Sequence, residues 1–393
     1  MKKRFFLLTI ILALSCSACA EHTNDNVPLN HNSEYEDISI IDEKEITNYE
    51  TDNNLELKIE GKEIIDVVAN NDYILLLTKD GYVYAEGNNE TGALCQGDFN
   101  EYKDMVKIDF PEKIMMIDDC VAVGESNNVY IWGVAYYALK QYNQCDVIPY
   151  NPLSSCTPSI NIVHFDQDIK YIHKSDDFIN ILTDKGEVYT YGAYCKYDLF
   201  NDSDEPAAGI NIYPTDKFVE VPFDEKIIKI SCGAQHTLAL SESGNVYGFG
   251  SSYWGQIGRD QIDKNNYFKF DSKNVKDIFA AGYNSFILTE DDILLCYGTL
   301  SREAEEGKIE IKIPEKIEAA YPSRLFSVSF LCKENVYRLI TDDIYEKTFE
   351  IVMSEDNRLY IENDIYVLNG KFYITQDMLQ RLHADKEYDE IID

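Results

Sequence analysis

The chain has 393 residues and a formal net charge of −35 at pH 7, with 45% hydrophobic and 12% aromatic residues. This apolar content is enough to fill a sizeable core, which excludes a wholly disordered protein. So acidic a chain repels phosphate backbones over about a Debye length, and we expect no nucleic-acid partner.

The N-terminus predicts an export signal. Residues 1–4 are basic and residues 5–14 form an apolar run. A run of this length is well short of the roughly 20 residues that a membrane-spanning helix needs, and it is typical of a signal-peptide core.

The residues after this run, Leu14-Ser15-Cys16-Ser17-Ala18-Cys19, resemble a bacterial lipobox. In that motif a small residue precedes a cysteine that is lipidated, for example with palmitate, and becomes the mature N-terminus. Cys19 has the better small pair before it, and Cys16 is the alternative; a plain cleaved signal also remains open. We therefore predict a lipoprotein signal peptide over residues 1–19. The protein would be anchored by lipid in the cell membrane and would face the extracytoplasmic side.

Three further regions follow from composition and patterning. Residues 20–54 are polar and acidic and are predicted to be a linker that tethers the folded part. Residues 55–375 contain the strand-like segments of a folded domain, and residues 376–393 are predicted to be an acidic C-terminal tail.

An internal repeat within residues 55–375 indicates the fold. Each copy has an apolar strand, a short polar turn and a second β-rich strand, as in Leu182-Thr183-Asp184-Lys185-Gly186-Glu187-Val188-Tyr189. Residues that tolerate a positive φ occupy the turns, namely Gly81, Asn127, Gly186, Gly244 and Asp292. Successive turns are 46, 59, 58 and 48 residues apart, which leaves room for about four short strands in each unit. This spacing predicts four-stranded units arranged radially as a β-propeller. We expect an all-β fold of seven blades, with six as the alternative, and the strand near Leu55 would complete the last blade.

One copy carries a more specific pattern. The segment Gly233 to Gly258 reads Gly-x-x-His-Thr-Leu-Ala-Leu-Ser-x-x-Gly-x-Val-Tyr-x-x-Gly-x-x-x-x-Gly-Gln-Ile-Gly. It resembles the repeat of the regulator of chromosome condensation (RCC1) family. The resemblance covers residues 62–300 well and residues 301–375 poorly. It implies a seven-bladed propeller that binds proteins through loops on one face of the disc.

Catalytic and metal motifs are weak in this sequence. His236 is replaced by Tyr73, Phe178 and Asn284 in the other copies, so we expect it to make a structural hydrogen bond. His164 and His173 lack the spacing of metal ligands, and we expect neither a metal nor a cofactor. Carboxylates are abundant, so a glycosidase pair remains an alternative that sequence alone does not place.

The loop after each repeat hairpin supplies the candidate site. Three consecutive copies carry large aromatic residues there, namely Tyr136, Tyr137, Tyr194, Tyr197, Tyr253 and Trp254. Tyrosine and tryptophan are enriched in binding hot spots, although they also pack between blades.

The sequence therefore predicts a monomeric, non-catalytic, lipid-anchored propeller that binds a protein partner through an aromatic face. Strong negative charge favours a basic partner. The alternatives are an extracellular carbohydrate-active enzyme or lectin with carboxylates in the channel, and a structural scaffold of an envelope complex.

Overall fold

The computed structural model describes residues 40–41, 55–70, 72–133, 157–175, 178–192, 215–252, 254–258, 267–301, 307–322, 327–342, 348–354, 359–362, 365–375, 378 and 382. These residues all lie in one compact unit, residues 38–393.

The described chain forms seven sheets, which are the blades of a β-propeller. Blade 1 contains β3 (Ile64–Ala69), β4 (Tyr73–Thr78), β5 (Val83–Gly87) and β6 (Tyr102–Ile108). Blade 2 contains β7 (Ile114–Asp118), β8 (Val121–Gly124), β9 (Asn128–Trp132) and β10 (Thr157–His164). Blade 3 contains β11 (Ile169–Lys174), β12 (Phe178–Thr183), β13 (Val188–Gly192) and β14 (Thr215–Val221). Blade 4 contains β15 (Ile227–Cys232), β16 (His236–Ser241), β17 (Val246–Gly250) and β18 (Phe268–Lys269).

Blades 5 to 7 follow along the chain, and blades 6 and 7 also include N-terminal strands. Blade 5 contains β19 (Val275–Ala281), β20 (Asn284–Thr289), β21 (Ile293–Gly298) and β22 (Lys308–Lys312), with a short 3₁₀ helix at Thr299–Ser301. Blade 6 contains β23 (Ile317–Pro322), β24 (Ser327–Cys332), β25 (Val336–Asp342) and β26 (Thr348–Ser354), with β1 (Ile40–Ile41) as a fifth strand. Blade 7 contains β27 (Leu359–Glu362), β28 (Ile365–Leu368), β29 (Lys371–Ile374) and β2 (Leu55–Glu56). The predicted all-β, seven-bladed fold is confirmed, and the alternative of six blades is wrong.

The second strand of a blade is the most apolar because both of its faces are covered. The strands Tyr73–Thr78, Phe178–Thr183 and His236–Ser241 are buried along their whole length. Such strands read as near-continuous apolar runs rather than as alternating ones. The core therefore lies between blades: Leu238 and Phe270 of the blade-4 region pack with Ile278 of blade 5.

The hairpin turns confirm the predicted turn residues. Gly81, Gly186 and Gly244 have φ values of 85°, 85° and 83°, and Asn127 and Asp292 have values of 57° and 58°. Only glycine and short polar residues adopt this region at small cost.

The N-terminal strand closes the ring as predicted. Leu55 and Glu56 pair antiparallel with Ile374 and Tyr373, and the Leu57 amide donates to the Phe372 carbonyl at 2.9 Å. Closure joins the last blade to the first and removes exposed strand edges at the seam.

The same seam buries two residues of the C-terminal segment. Met378 and Leu382 are 2% and 3% exposed, and they pack in one cluster with Val67 of blade 1 and Ile365 of blade 7. Both lie within the segment 376–393 that the sequence predicts to be a tail.

Candidate functional site

The propeller has two faces that the strand register defines. In blade 4 the third strand ends at Gly250, which is paired with His236 at the start of the second strand. Tyr73 with Gly87 and Asn284 with Gly298 are the matching pairs in blades 1 and 5. We call the side where these strands meet the loop face. The opposite side, which carries the hairpin turns, is the turn face.

In the sequence, the predicted aromatic residues come shortly after third strands, which end on the loop face. Tyr136, Tyr137, Tyr194, Tyr197 and Tyr253 lie outside the described residues, as do Cys16 and Cys19.

Trp254 is the described member of this set, and it contacts the next blade. Its ring lies at a 52° tilt to that of Tyr283, with centroids 6.1 Å apart, and its amide donates to Gln256 Oε1 at 2.8 Å. Both rings are half-buried. Trp254 thus packs at the junction of blades 4 and 5 while part of its surface stays open.

Phe99 is a loop-face aromatic that the sequence does not single out. It is 41% exposed in the loop between β5 and β6. The buried Asn89 orders this loop, because its Oδ1 accepts from the Leu94 amide at 2.9 Å and its Nδ2 donates to the Asp98 carbonyl at 2.8 Å. In the other copies the aromatic residues come directly after the third strand. Phe99 lies 12 residues after Gly87, the last residue of its third strand, so aligning the repeats does not identify it.

His236 makes a buried hydrogen bond between two blades. It is fully buried, and its Nε2 lies 2.8 Å from Ser285 Oγ on blade 5. The Ser285 hydroxyl donates its only proton to the Gln256 carbonyl at 2.6 Å, so His236 Nε2 is the donor of the other bond. Nδ1 has no hydrogen-bond partner. Burial lowers the pKa of His236 to about 3, against a smaller opposing effect of the Asn284 backbone.

The first strands of neighbouring blades contact one another around the central axis. In six of them the pairing register shifts at the second residue, which marks a β-bulge. The bulged residues are Ile65, Met115, Lys170, Ile228, Lys276 and Glu318. Three of them are exposed apolar side chains, Ile65 at 46%, Met115 at 58% and Ile228 at 38%. The bulge positions of the first strands therefore carry both apolar and charged residues near the turn face.

Side chains of one blade accept hydrogen bonds from backbone amides on the first strand of the next blade. Asp118 Oδ2 of blade 2 accepts from the Lys174 amide of blade 3 at 2.8 Å. At the same strand position Ser231 Oγ of blade 4 accepts from the Ala280 amide of blade 5 at 2.9 Å. These bonds explain why polar residues stand on otherwise apolar inner strands, since buried amides need partners.

A cluster of ionisable side chains lies where the first strands of blades 2 and 3 end, near the loop face. Asp119 Oδ2 lies 3.1 Å from Lys174 Nζ, and Asp119 Oδ1 accepts from the Tyr73 hydroxyl. Asp118 Oδ2 lies 3.1 Å from His173 Nδ1. Burial alone would raise the pKa of Asp119, but the positive charge of Lys174 and the hydrogen bonds outweigh it, so the pKa is lowered. Asp119 is therefore held as a carboxylate.

Carboxylates on the turn face form a repeated clamp. Glu225 accepts from Asn245 Nδ2 at 2.6 Å and from the Tyr247 hydroxyl at 2.5 Å. Hydrogen bonds from Ser243 and Tyr247 lower the pKa of Glu225 to about 2. The same clamp occurs in blades 2 and 6 as Glu112 with Asn128 and Tyr130, and as Glu315 with Asn335 and Tyr337. Its signal in the sequence is Glu-Lys-Ile followed by Asn-Val-Tyr in alternate blades.

Among the residues that the structure describes, no group of three or more His, Cys, Asp or Glu side chains could hold a metal ion. No described helix is both long and apolar enough to cross a membrane. The described cysteines are free; Cys120, Cys232, Cys296 and Cys332 are buried, and Cys95 is half-buried.

Comparisons with known proteins agree with this architecture. The family model of the regulator of chromosome condensation (RCC1) repeat matches residues 227–256. The mouse regulator of chromosome condensation is 24% identical over 213 residues, covering 50% of this chain and 49% of that protein. The Arabidopsis thaliana ultraviolet-B receptor UVR8 is 26% identical over 216 residues, covering 52% and 46% respectively. The chain thus spans about half the length of these two relatives.

Solved structures show the same fold. Human WBSCR16 superposes with a TM-score of 0.57 at 15% identity, covering 75% of this chain and 81% of that one. Prp20p from Saccharomyces cerevisiae has a TM-score of 0.54 at 15% identity, covering 81% and 84%. Together with the repeat match, these likenesses support one conclusion: the chain is an RCC1-like β-propeller.

Proposed function

We propose that this protein is an exported, lipid-anchored propeller that recognises a protein partner through its loop face and does not catalyse a reaction. The observation that carries the proposal is the aromatic surface of that face. Phe99 is 41% exposed on blade 1, and Trp254 and Tyr283 form a half-buried pair across blades 4 and 5. Aromatic side chains supply contact area at small entropic cost, which suits them to binding hot spots.

The protonation states of the described carboxyls favour binding over acid–base chemistry. A general acid needs a carboxyl whose pKa is raised towards neutrality. Seven described carboxyls instead have a pKa that is shifted downwards; these are Glu56, Asp80, Asp98, Glu112, Asp119, Glu225 and Glu315. Such groups are poor proton donors at neutral pH.

Similar propellers bind proteins. The Prp20p structure is described with its binding to Gsp1p and histones, and the yeast protein has also been solved with Kap60 bound. We carry over to this chain only the use of the propeller as a protein-binding platform. The net charge of −35 favours a basic partner, because complementary charge speeds encounter. Binding should therefore weaken as salt is added.

Export and anchoring rest on the leader sequence. Metabolic labelling of producing cells with a palmitate analogue tests them, with Cys19→Ala and Cys16→Ala variants side by side. We expect label in the membrane fraction and its loss in the Cys19 variant. Loss only in the Cys16 variant would move the lipid to that residue. No label in the parent protein would contradict the anchor.

Recognition is tested by affinity capture from producing cells with the full-length tagged protein. The test variant is Phe99→Ala/Trp254→Ala. The matched control is Tyr82→Ala, because Tyr82 is 38% exposed beside the Gly81 turn on the opposite face. We expect a saturable partner that the double variant loses and the control keeps. Equal capture by all three proteins, or by none, would contradict recognition by this face.

A further inference from the structure

Blade 6 differs from the other blades in having an added strand. Among the described residues, its sheet has five strands in the order β1-β26-β25-β24-β23, whereas each of the other six sheets has four. The added strand β1 pairs parallel with β26, with Ile40 opposite Ile351 and Ile41 opposite Val352.

The added strand is not needed to complete the blade. The strands β23 to β26 already form the four-stranded sheet that the other blades have. The second N-terminal strand β2 is different, because it is antiparallel and supplies the fourth strand of blade 7. The chain therefore uses one N-terminal strand to close the ring and places the other on an edge that is complete without it.

The edge beneath β1 has the properties of a strand-addition site. The outer strand β26 has seven residues and pairs with β25 along all seven, from Val336 opposite Ser354 to Asp342 opposite Thr348, without a register shift. A long, regular edge strand is a ready template for another strand, and proteins commonly cover or interrupt such edges. The described residues of β1 pair with two of these seven positions.

The pairing mode also points to exchange. Parallel pairs are slightly less stable per residue than antiparallel ones, and residues 40–41 contribute few ladder hydrogen bonds. An extended peptide that pairs along all of β26 would gain bonds beyond those that residues 40–41 make, which is the basis of recognition by strand addition.

We propose that the outer edge of blade 6 is a binding site for an extended, β-branched peptide segment of a partner protein. Residues 40–41 occupy this site in the free protein and are displaced when the partner strand is added. The peptide class follows from the occupant, because the chain around β1 reads Ile38-Ser39-Ile40-Ile41. This site is separate from the loop face and does not depend on the function proposed above.

The test compares two proline variants of the full-length protein. Ile40→Pro/Ile41→Pro removes both amides of β1 and disfavours its pairing. Ile46→Pro/Thr47→Pro places the same change in the same linker, away from residues 40–41. Hydrogen exchange of residues 348–354 is the first readout. We expect some of these amides to exchange about tenfold faster in the first variant only, at unchanged thermal stability. Unchanged exchange in both variants would overturn the proposal.

The second readout is binding of a labelled synthetic peptide with the sequence of residues 36–44. We expect saturable binding to Ile40→Pro/Ile41→Pro. Binding to the parent and to the control variant should be at least about tenfold weaker, because their β26 edge is occupied by residues 40–41. A peptide with proline at the two isoleucine positions should not bind. Failure of the first peptide to bind the variant, or equal binding of both peptides, would overturn the proposal. Trp254→Ala should leave peptide binding unchanged, which separates this site from the loop face.

Discussion

The buried histidine between blades 4 and 5 gives a quantitative test of the packing. His236 is fully buried, its Nδ1 lacks a partner, and its pKa in the folded protein is about 3, compared with 6.5 for an unperturbed histidine. Between pH 7 and pH 5 the unfolded chain therefore gains a proton at His236 that the folded protein does not accept. Because the folded pKa is the lower one, this contribution to stability is present above pH 6.5 and is lost as the pH falls. The loss by pH 5 is about 2 kcal/mol.

The assay is urea unfolding of the parent and of His236→Gln at pH 7, 6 and 5. Glutamine removes the titrating group and keeps a hydrogen-bonding side chain. The carboxylates and the other histidines titrate alike in both proteins, so they cancel in the difference. We expect the variant to be less stable at pH 7, with the gap closing by about 2 kcal/mol at pH 5. A gap that stays constant with pH would refute a buried, neutral His236.

Three further substitutions test the packing elsewhere. Gly186→Ala should destabilise the protein more than Gly244→Ala, although both residues have a similar positive φ. A Cβ added to Gly186 would lie 2.7 Å from a backbone oxygen of the next blade, whereas a Cβ added to Gly244 would have nothing within 4 Å. Equal losses of unfolding free energy would contradict this close approach. Tyr247→Phe should lower the unfolding free energy by about 1–3 kcal/mol in urea, because it removes the hydrogen bond to the Glu225 carboxylate. An unchanged unfolding free energy would contradict a stabilising role of this clamp. Leu382→Ala should lower the unfolding free energy by about 2–4 kcal/mol, while Leu55→Ala, at 52% exposure, should change it little; the reverse order would contradict burial of the C-terminal segment at the seam.

The repeat made the fold predictable because each blade reuses the same local chemistry. Turn residues such as Gly186 and Asn127 need a positive φ, and five copies of the repeat show a residue that tolerates it at this position. The same reasoning identified His236 as structural, since a residue that changes to tyrosine, phenylalanine or asparagine in other blades cannot form a ring of like groups. The weak later copies still fold as blades, because apolar strands such as β24 and β25 need only bury their faces.

The candidate site was less predictable, because the loops between the third and fourth strands do not repeat. Phe99 stands in a loop that Asn89 orders through contacts specific to blade 1. The pairing of Ile40 with Ile351 joins residues far apart in sequence, and the linker's polar composition does not reveal it. The Glu225 clamp could have been predicted from the sequence, since its motif recurs in alternate blades.

The most direct test of the account is the affinity of the captured partner for three purified proteins. Biolayer interferometry would compare the parent with Phe99→Ala/Trp254→Ala and with Tyr82→Ala at equal thermal stability. Truncating hot-spot aromatics typically costs about 2 kcal/mol or more, so we predict at least a tenfold weaker Kd for the double variant and an unchanged Kd for the control. An unchanged Kd in the double variant, or a loss confined to Tyr82→Ala, would contradict recognition through the loop face.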